Sequence, residues 1–310
     1  MTILLQKQLD YVGAQRIQQF RPSKFRRILP VDGSVPAWAD RVQHSEIRIS
    51  GEHDPKLIPA SGPVGKLPRS TLSRADAFIN ILHFGYSYGY SIFDLERAAQ
   101  TKINLPATEA IANQGIAERF LDAVAAGAFT VTYGLPGLLN QTATAATPGV
   151  ATTTASLLTA CAKASGGTTW VGATLTEIKR DIDASLYQIN VNTLEVYTAN
   201  LIALPPASMQ YLTTTFNEIT EHSLLQILMS TYPGVRFESW QRLATANAAG
   251  TGPRMVTMAT GEEVARMIIP QELRDETPMQ VPLAVEIPQW LSTAGVLVET
   301  PTAINYTDGI

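Results

Sequence analysis

The residues best equipped for chemistry in this 310-residue chain are a glycine-flanked serine, four histidines, one cysteine and scattered carboxylates. Gly85-Tyr86-Ser87-Tyr88-Gly89 has the spacing of a nucleophile elbow, in which small flanking residues let a serine turn sharply out of a strand end into a helix. Such a serine needs an acid and a histidine downstream. His222 is the one histidine that follows, with Asp181 or Asp183 as the acid. The elbow, however, belongs at the carboxyl end of a central strand in a parallel α/β sheet, and the chain shows no regular βαβ alternation. The doublet Gly85-Tyr86-Ser87 and Gly89-Tyr90-Ser91 also reads as a Tyr/Gly-rich strand running into a helix cap. That second reading is preferred, with a Ser87 hydrolase kept as the alternative from another functional class.

The remaining candidates are weaker. His44, His53, His83 and His222 form no pair at helical or zinc-finger spacing, and no cysteine pair accompanies them, so no metal site is expected. Gly134-Leu135-Pro136-Gly137 contains a proline and lacks a following Lys-Ser or Lys-Thr, which leaves nothing to cradle a phosphate. Glu262-Glu263 reads as surface charge. Cys161 is alone, cannot form an intrachain disulfide, and reads as a small buried hydrophobe in a chain that folds in a reducing cytoplasm. Trp38, Trp170, Trp240 and Trp290 lack the basic interleaving of a stacking platform for nucleic acid and are expected as core or interface anchors. No catalytic residue, cofactor or metal is expected, and the protein is not expected to be an enzyme.

Composition narrows the class. A hydrophobic content of 45% can fill a real core, whereas only 16% of residues are charged, a deficit that suits a surface covered by partners. The net charge of −4 disfavours a protein whose main task is to grip DNA. The first residues do not read as a signal peptide, and no apolar run is long enough to span a bilayer.

The elements that must position these residues follow from periodicity and punctuation. Residues 1 to about 35 read as an arm with little core of its own, ending in the basic cluster Arg21, Lys24, Arg26 and Arg27. His44 to Ser50 alternates polar and apolar residues as a half-exposed strand does, and the seven Gly and Pro breakers from Gly51 to Pro68 predict the irregular tip of a long two-stranded excursion. Such a hairpin is marginal in water unless it packs on something. Ser91 to Asp94 has capping-box spacing for a short helix. Pro106 then opens a long helix with Ile111, Ile116, Phe120, Leu121 and Val124 on one face and Gly127 at its end. Residues 141 to 169 shift to Ala, Thr and Gly as at a domain junction, with room for a loosely packed helix from Ser156 to Lys163. Thr174 to Glu177 is a capping box ahead of an amphipathic helix carrying Leu175, Ile178, Ile182, Leu186 and Ile189. Leu201 to Leu204 predicts a buried strand stopped by Pro205-Pro206, with short helices near 207–212 and 223–230. Strands are expected at 235–240, 255–259, 264–269, 283–287, 295–299 and 302–306. The fold class is mixed α+β, without an internal repeat.

Four phrases, in this order and spacing, carry a resemblance: Gly85 to Ala99, Tyr133 to Asn140, Leu201 to Pro206 ahead of Tyr211 to Thr214, and Ala303 to Ile310. Along nearly its whole length the chain resembles the tailed-phage major capsid proteins of the HK97-type fold. The resemblance implies an N-terminal arm at 1–35, an extended E-loop hairpin at 36–75, and a peripheral domain with a long spine helix at 76–145. An axial domain at 146–285 follows, and 286–310 would return to the peripheral domain. It implies a structural protein that self-assembles into hexamers and pentamers forming an icosahedral head around double-stranded DNA. The expected place is the virion, assembled in the host cytoplasm without a membrane. Candidate inter-subunit contacts are Arg21, Lys24, Arg26 and Arg27 on the arm and Lys56, Lys66 and Arg69 on the hairpin. Some relatives weld the shell by a lysine to asparagine bond; Lys56 and Lys66 carry the amine, but nothing signals its partner and no crosslink is expected. The short arm and Met1 point to a separate scaffolding protein, alongside a portal and a possible decoration protein. An encapsulin-like compartment that packages a cargo enzyme is the alternative on the same fold.

Overall fold

The computed structural model describes residues 23–50, 71–101, 105–141, 155–164, 166–216 and 222–310. They divide into two units interleaved along the chain. The smaller holds His83–Asp122 and Gln271–Ser292; the larger holds Lys24–Leu82, Ala123–Pro270 and Thr293–Ile310. The mixed α+β class expected from the pattern is the class observed.

At the centre of the larger unit is a five-stranded sheet in the order β5-β14-β8-β6-β7, formed by Ser156–Thr159, Ile304–Asp308, Arg254–Met258, Leu201–Leu204 and Arg236–Ser239. Every residue of Leu201-Ile202-Ala203-Leu204 is buried, which is why the strand reads as a continuous apolar run without alternation. β5 replaces the helix expected at 156–163: it pairs in parallel with β14, Ser156 opposite Asn305 through Thr159 opposite Asp308, so sheet pairing overrides the weak local preference of this Ala/Thr-rich stretch. The long amphipathic helix is present as Leu175–Asn192. Its capping box is complete, with the Thr174 amide donating to Glu177 Oε2 at 2.8 Å and the Glu177 amide donating to Thr174 Oγ1 at 3.4 Å. Ile178 and Ile182 enter a core shared with Ile202, Leu204 and Met255 and with the helices Pro206–Thr214 and Leu224–Thr231. Fully burying each such side chain stabilises the fold by roughly 1.5–3 kcal/mol.

The last residues of the expected arm, from Lys24 on, belong to the larger unit. Phe25, Ile28 and Leu29 are buried in and beside a one-turn helix, Phe25–Ile28, which we call α1. β1 (Val31–Asp32) then pairs in parallel with β9 (Ala265–Ile268), itself antiparallel to β13 (Gly295–Val298). Residues 24–32 are thus built into the larger unit, because three apolar side chains turned inward outweigh the basic cluster between them. The excursion is a regular antiparallel pair, β2 (Arg41–Ser50) with β3 (Thr71–Asn80), in register from Arg41 opposite Asn80 to Ser50 opposite Thr71. Its base is packed: Ile79 and Ile81 join Ile268, Ala294 and Leu297, with Val35, Ala39 and Val42 against them.

The smaller unit has β12 (Ala284–Thr293) flanked by β10 (Gln271–Asp275) and β11 (Met279–Val281), with β4 (Leu82–Ser91) also pairing β12. β10 and β11 were not expected, because charges and prolines obscure their pattern. α2 (Ile92–Thr101) starts from the anticipated cap, the Asp94 amide donating to Ser91 Oγ at 3.1 Å. The long helix, α3 (Leu105–Ala126), has Phe120 stacked against Phe84 of β4 with ring centroids 4.6 Å apart. Its expected apolar face divides: Leu121 and Val124 are buried, while Ile111 is 65% exposed and Ile116 is also on the surface. Gly127 ends it at φ +90°, with the amides of Gly127 and Ala128 closing back on Val124 and Ala123.

Candidate inter-subunit surfaces

The residues with chemical potential are mostly occupied by structural duties. Ser87 is exposed in the middle of β4, four residues from the strand end, so it does not sit at a strand-to-helix elbow. Asp181 is fully buried in the larger unit, holding Lys163 as an ion pair and accepting from Trp170 Nε1 and the Cys161 amide, each at 2.9 Å. Asp183 accepts from the Tyr232 hydroxyl, whose pKa is pushed up by burial and by that carboxylate. Asp181 therefore serves a core polar contact and Asp183 an exposed one. Glu177 is held down to about 2 by the backbone amides of Thr174 and Ala164 and by the Thr174 hydroxyl. His44 lies 3.7 Å from Glu299, His83 meets the Trp290 ring edge-on, and His222 is exposed. His53 lies outside the described residues. Among the described residues no group of three His, Cys, Asp or Glu side chains could hold a metal ion, and no helix is long and apolar enough to cross a membrane.

The Gly134 to Gly137 phrase has a packing role. A Cβ on Gly137 would lie 2.2 Å from the backbone of Gly127, so only glycine permits this approach of the chain to the end of α3. Beyond it the Tyr306 hydroxyl donates to the Leu138 carbonyl, and Arg254 reaches the Leu139 carbonyl at 3.2 Å while forming a two-pronged pair with Asp308 at 2.6 and 2.9 Å. The Arg254 guanidinium also lies over the Tyr306 ring. Two of the four phrases that carry the resemblance, Tyr133 to Asn140 and Ala303 to Ile310, are thus in direct contact, and β6 of the third shares a sheet with β14 of the last.

The basic candidates separate. Lys24 Nζ donates to Ser239 Oγ at 2.5 Å, Arg27 lies 3.9 Å from Glu238 and is largely exposed, and the Arg26 guanidinium is 5.2 Å from the centre of the Phe25 ring. Lys24 and Arg27 therefore meet β7 of their own chain. Arg21, Lys56, Lys66 and Arg69 lie outside the described residues.

What the sequence reading missed is apolar surface. On the hairpin's outer face Phe78 is 53% exposed, beside a polar lattice in which Arg74 contacts Asp76 at 2.7 Å and Ser45 at 2.9 Å. Trp38, just before β2, is 83% exposed. In the smaller unit the Ile92 amide donates to the Leu283 carbonyl, which brings exposed Ile92 and Phe93 next to exposed Leu283, with Met279 and Val281 along β11. Leu283 has φ +61°, a left-handed conformation that costs a branched residue about 1 kcal/mol or more. A strained backbone and exposed apolar area thus occur together on this surface. Alternation shows which residues share a strand face; it does not show which face stays open.

Known proteins fit this picture. The major capsid protein family matches residues 65–310. Among solved structures the chain is similar to the capsid of Myoviridae phage XM1, with a TM-score of 0.75, 18% identity and 98% of each chain covered. It is similar to the capsid of a native GTA particle at 0.62, with 14% identity and 96% and 95% covered. The virus-like particle from Pyrococcus furiosus follows at 0.50, with 11% identity and 91% of each covered. No curated protein matches the chain. These likenesses establish the HK97-like capsid fold, and the match over most of the sequence shows that the chain belongs to the major capsid protein family.

Proposed function

We propose that this protein assembles with copies of itself into hexamers and pentamers that close an icosahedral phage head around double-stranded DNA. The observation that carries the reading is the β2–β3 hairpin: ten paired residues on each strand, core contacts at the base, and an outer face bearing exposed Phe78. A two-stranded ribbon gains little from its own contacts, so a neighbour's surface is the natural source of its stability. The arm (1–35), E-loop (36–75), peripheral domain (76–145 with 286–310) and axial domain (146–285) are the roles we assign along the chain. Arg21, Lys56, Lys66 and Arg69 are assigned to neighbouring subunits. Lys24, Arg26 and Arg27 would hold the arm's root while leaving the Arg27 head free to reach outward. Heterologous contacts between two different faces of one subunit close into rings, and rings of five and six tile a shell. Enclosing DNA requires no base-reading residues, and an acidic subunit suits confinement better than adhesion. A separate scaffolding protein, a portal and a decoration protein are the further partners, with assembly in the host cytoplasm.

Electron microscopy of the concentrated protein, with scaffold supplied, tests the reading. Closed shells that protect DNA from nuclease support it. Shells filled with an enzyme would favour the encapsulin-like alternative, and a persistent monomer or dimer would remove the shell and send attention back to Ser87.

A further inference from the structure

We propose that the end of the helix Leu175–Asn192 and the loop after it form an apolar crest that seats in a cavity of a second copy of this chain; this rests on the shell reading above. The outward face of that helix changes character along its length. Its first half presents Lys179, Arg180 and Asp183, as a solvent face does, whereas its second half presents Tyr187 and Val191, one turn apart, and Leu194 and Val196 follow in the loop. Tyr187, Leu194 and Val196 are 69%, 71% and 72% exposed. The opposite face is already committed to the core through Ile178, Ile182 and Ile189, so the last two turns are apolar on both sides, the pattern of a helix that is covered all round.

The backbone holds the crest in place. Leu194 and Glu195 stand at φ +52° and +66°, a left-handed pair that residues with side chains rarely adopt. The Glu195 amide donates to the Asn190 carbonyl at 2.8 Å, the Val196 amide to the Thr193 carbonyl at 3.1 Å, and buried Thr193 donates through Oγ1 to the Ile189 carbonyl at 2.8 Å. These bonds satisfy the helix end while the apolar side chains stay outside, and a contact fixed beforehand loses little entropy on docking. The cavity lies beside the crest. About 600 Å³ in volume, it is lined by Leu186 and Asn190, each one position before a crest residue on the helix, and by Ala199, Tyr232, Pro233 and Val235. Its size is that of sites that enclose a ligand or several side chains.

Charge identifies the occupant. Glu195 stands exposed on the crest between Leu194 and Val196, and Arg236, next to Val235, stands exposed at the cavity's rim with its amide donating to the Asn200 carbonyl at 2.9 Å. Among the described residues neither Glu195 nor Arg236 forms an ion pair. Asp183, on the same side as Tyr232, is already engaged by the Tyr232 hydroxyl. An apolar crest carrying one carboxylate thus matches an apolar cavity whose rim carries one unpaired guanidinium, and the two belong to the same chain. A copy that fills its neighbour's cavity leaves its own cavity for the next copy, a heterologous contact that closes in a ring.

The test compares the yield of closed shells by electron microscopy, with scaffold supplied, and the melting temperature of the unassembled chain. Aspartate enters a left-handed position more readily than leucine, so Leu194→Asp is expected to melt no lower than wild type, yet to give at least about tenfold fewer shells. Glu195→Arg and Arg236→Glu, each reversing one exposed charge, are expected to lower the yield about fivefold, and the double variant to recover most of it. Shells at the wild-type yield from Leu194→Asp, or from both single reversals, would overturn the proposal and leave the shell reading intact. Single reversals that fail without recovery in the double variant would overturn it too, by showing that crest and rim do not meet each other. Should Leu194→Asp melt lower than wild type, the charge reversals decide. If wild type forms no shells with scaffold supplied, both readings fall together.

Discussion

The five-stranded sheet and the β2–β3 hairpin are made of similar residues and stabilised in opposite ways. In the sheet, β6 and β8 are buried along their whole length, and Ser185 of the long amphipathic helix donates to Thr257 at 2.7 Å and accepts from Asn305 at 2.6 Å. In the hairpin, Ile79 and Val42 anchor one end while Phe78, on the opposite face, meets no core. The first region buries its central strands completely; the second leaves Phe78 on an open face. A shell protein needs both, a body that folds before assembly and surfaces that are satisfied only by it.

Breaking the sheet side should have the largest effect on the isolated chain. Asp181→Ala strands the Lys163 ammonium in the core, and chemical denaturation is expected to show a loss of about 3–5 kcal/mol. The paired replacement Lys163→Met with Asp181→Leu sharpens the point: removing both charges should recover most of that loss, and if it does not, the pair is contributing more than mutual neutralisation. Tyr306→Phe removes the hydroxyl that meets the Leu138 carbonyl and is expected to cost about 1–2 kcal/mol by the same measurement.

On the hairpin side the order of effects should invert. Phe78→Asp is expected to change the stability of the unassembled chain by less than about 0.5 kcal/mol and to abolish shells in electron microscopy. A large loss of stability with assembly intact would undo the comparison, because Phe78 would then belong to the core.

The smallest effects concern carboxylates. Burial, reinforced by Asp94, raises the pKa of Glu109, whose Oε2 has no hydrogen-bond partner. The folded state therefore favours the protonated form. Glu109 is no burden below its ordinary pKa, and stability falls as pH climbs from there through the raised value. Glu109→Gln should stabilise the protein at neutral pH by less than about 1 kcal/mol after solvent screening, and the gain should vanish in acid. Glu177 has the opposite sign: its contribution is present above the ordinary glutamate value of 4.5 and lost as pH falls towards about 2. Glu177→Gln should flatten the acid limb of a pH titration of melting temperature over that window.

The sequence by itself determined the elements whose signals are local. Capping boxes at Ser91 and Thr174, Pro106 and Gly127 at the two ends of the long helix, and the apolar run of β6 all act through neighbours in the chain, so spacing alone reveals them; the irregular tip expected between Gly51 and Pro68 lies outside the described residues. Short phrases in a fixed order were enough to suggest the family. Tertiary structure alone decided the rest. Ser156–Thr159 is a strand because β14 offers it a partner, and residues 24–32 join the body because Phe25, Ile28 and Leu29 find a core there. Lys163 and Asp181, eighteen positions apart, are joined only by folding. Which apolar residues stay exposed was equally out of reach: nothing in the sequence marks Phe78 or Leu283 as exposed, since hydrophobicity is a property of a residue and burial is a property of everything packed around it.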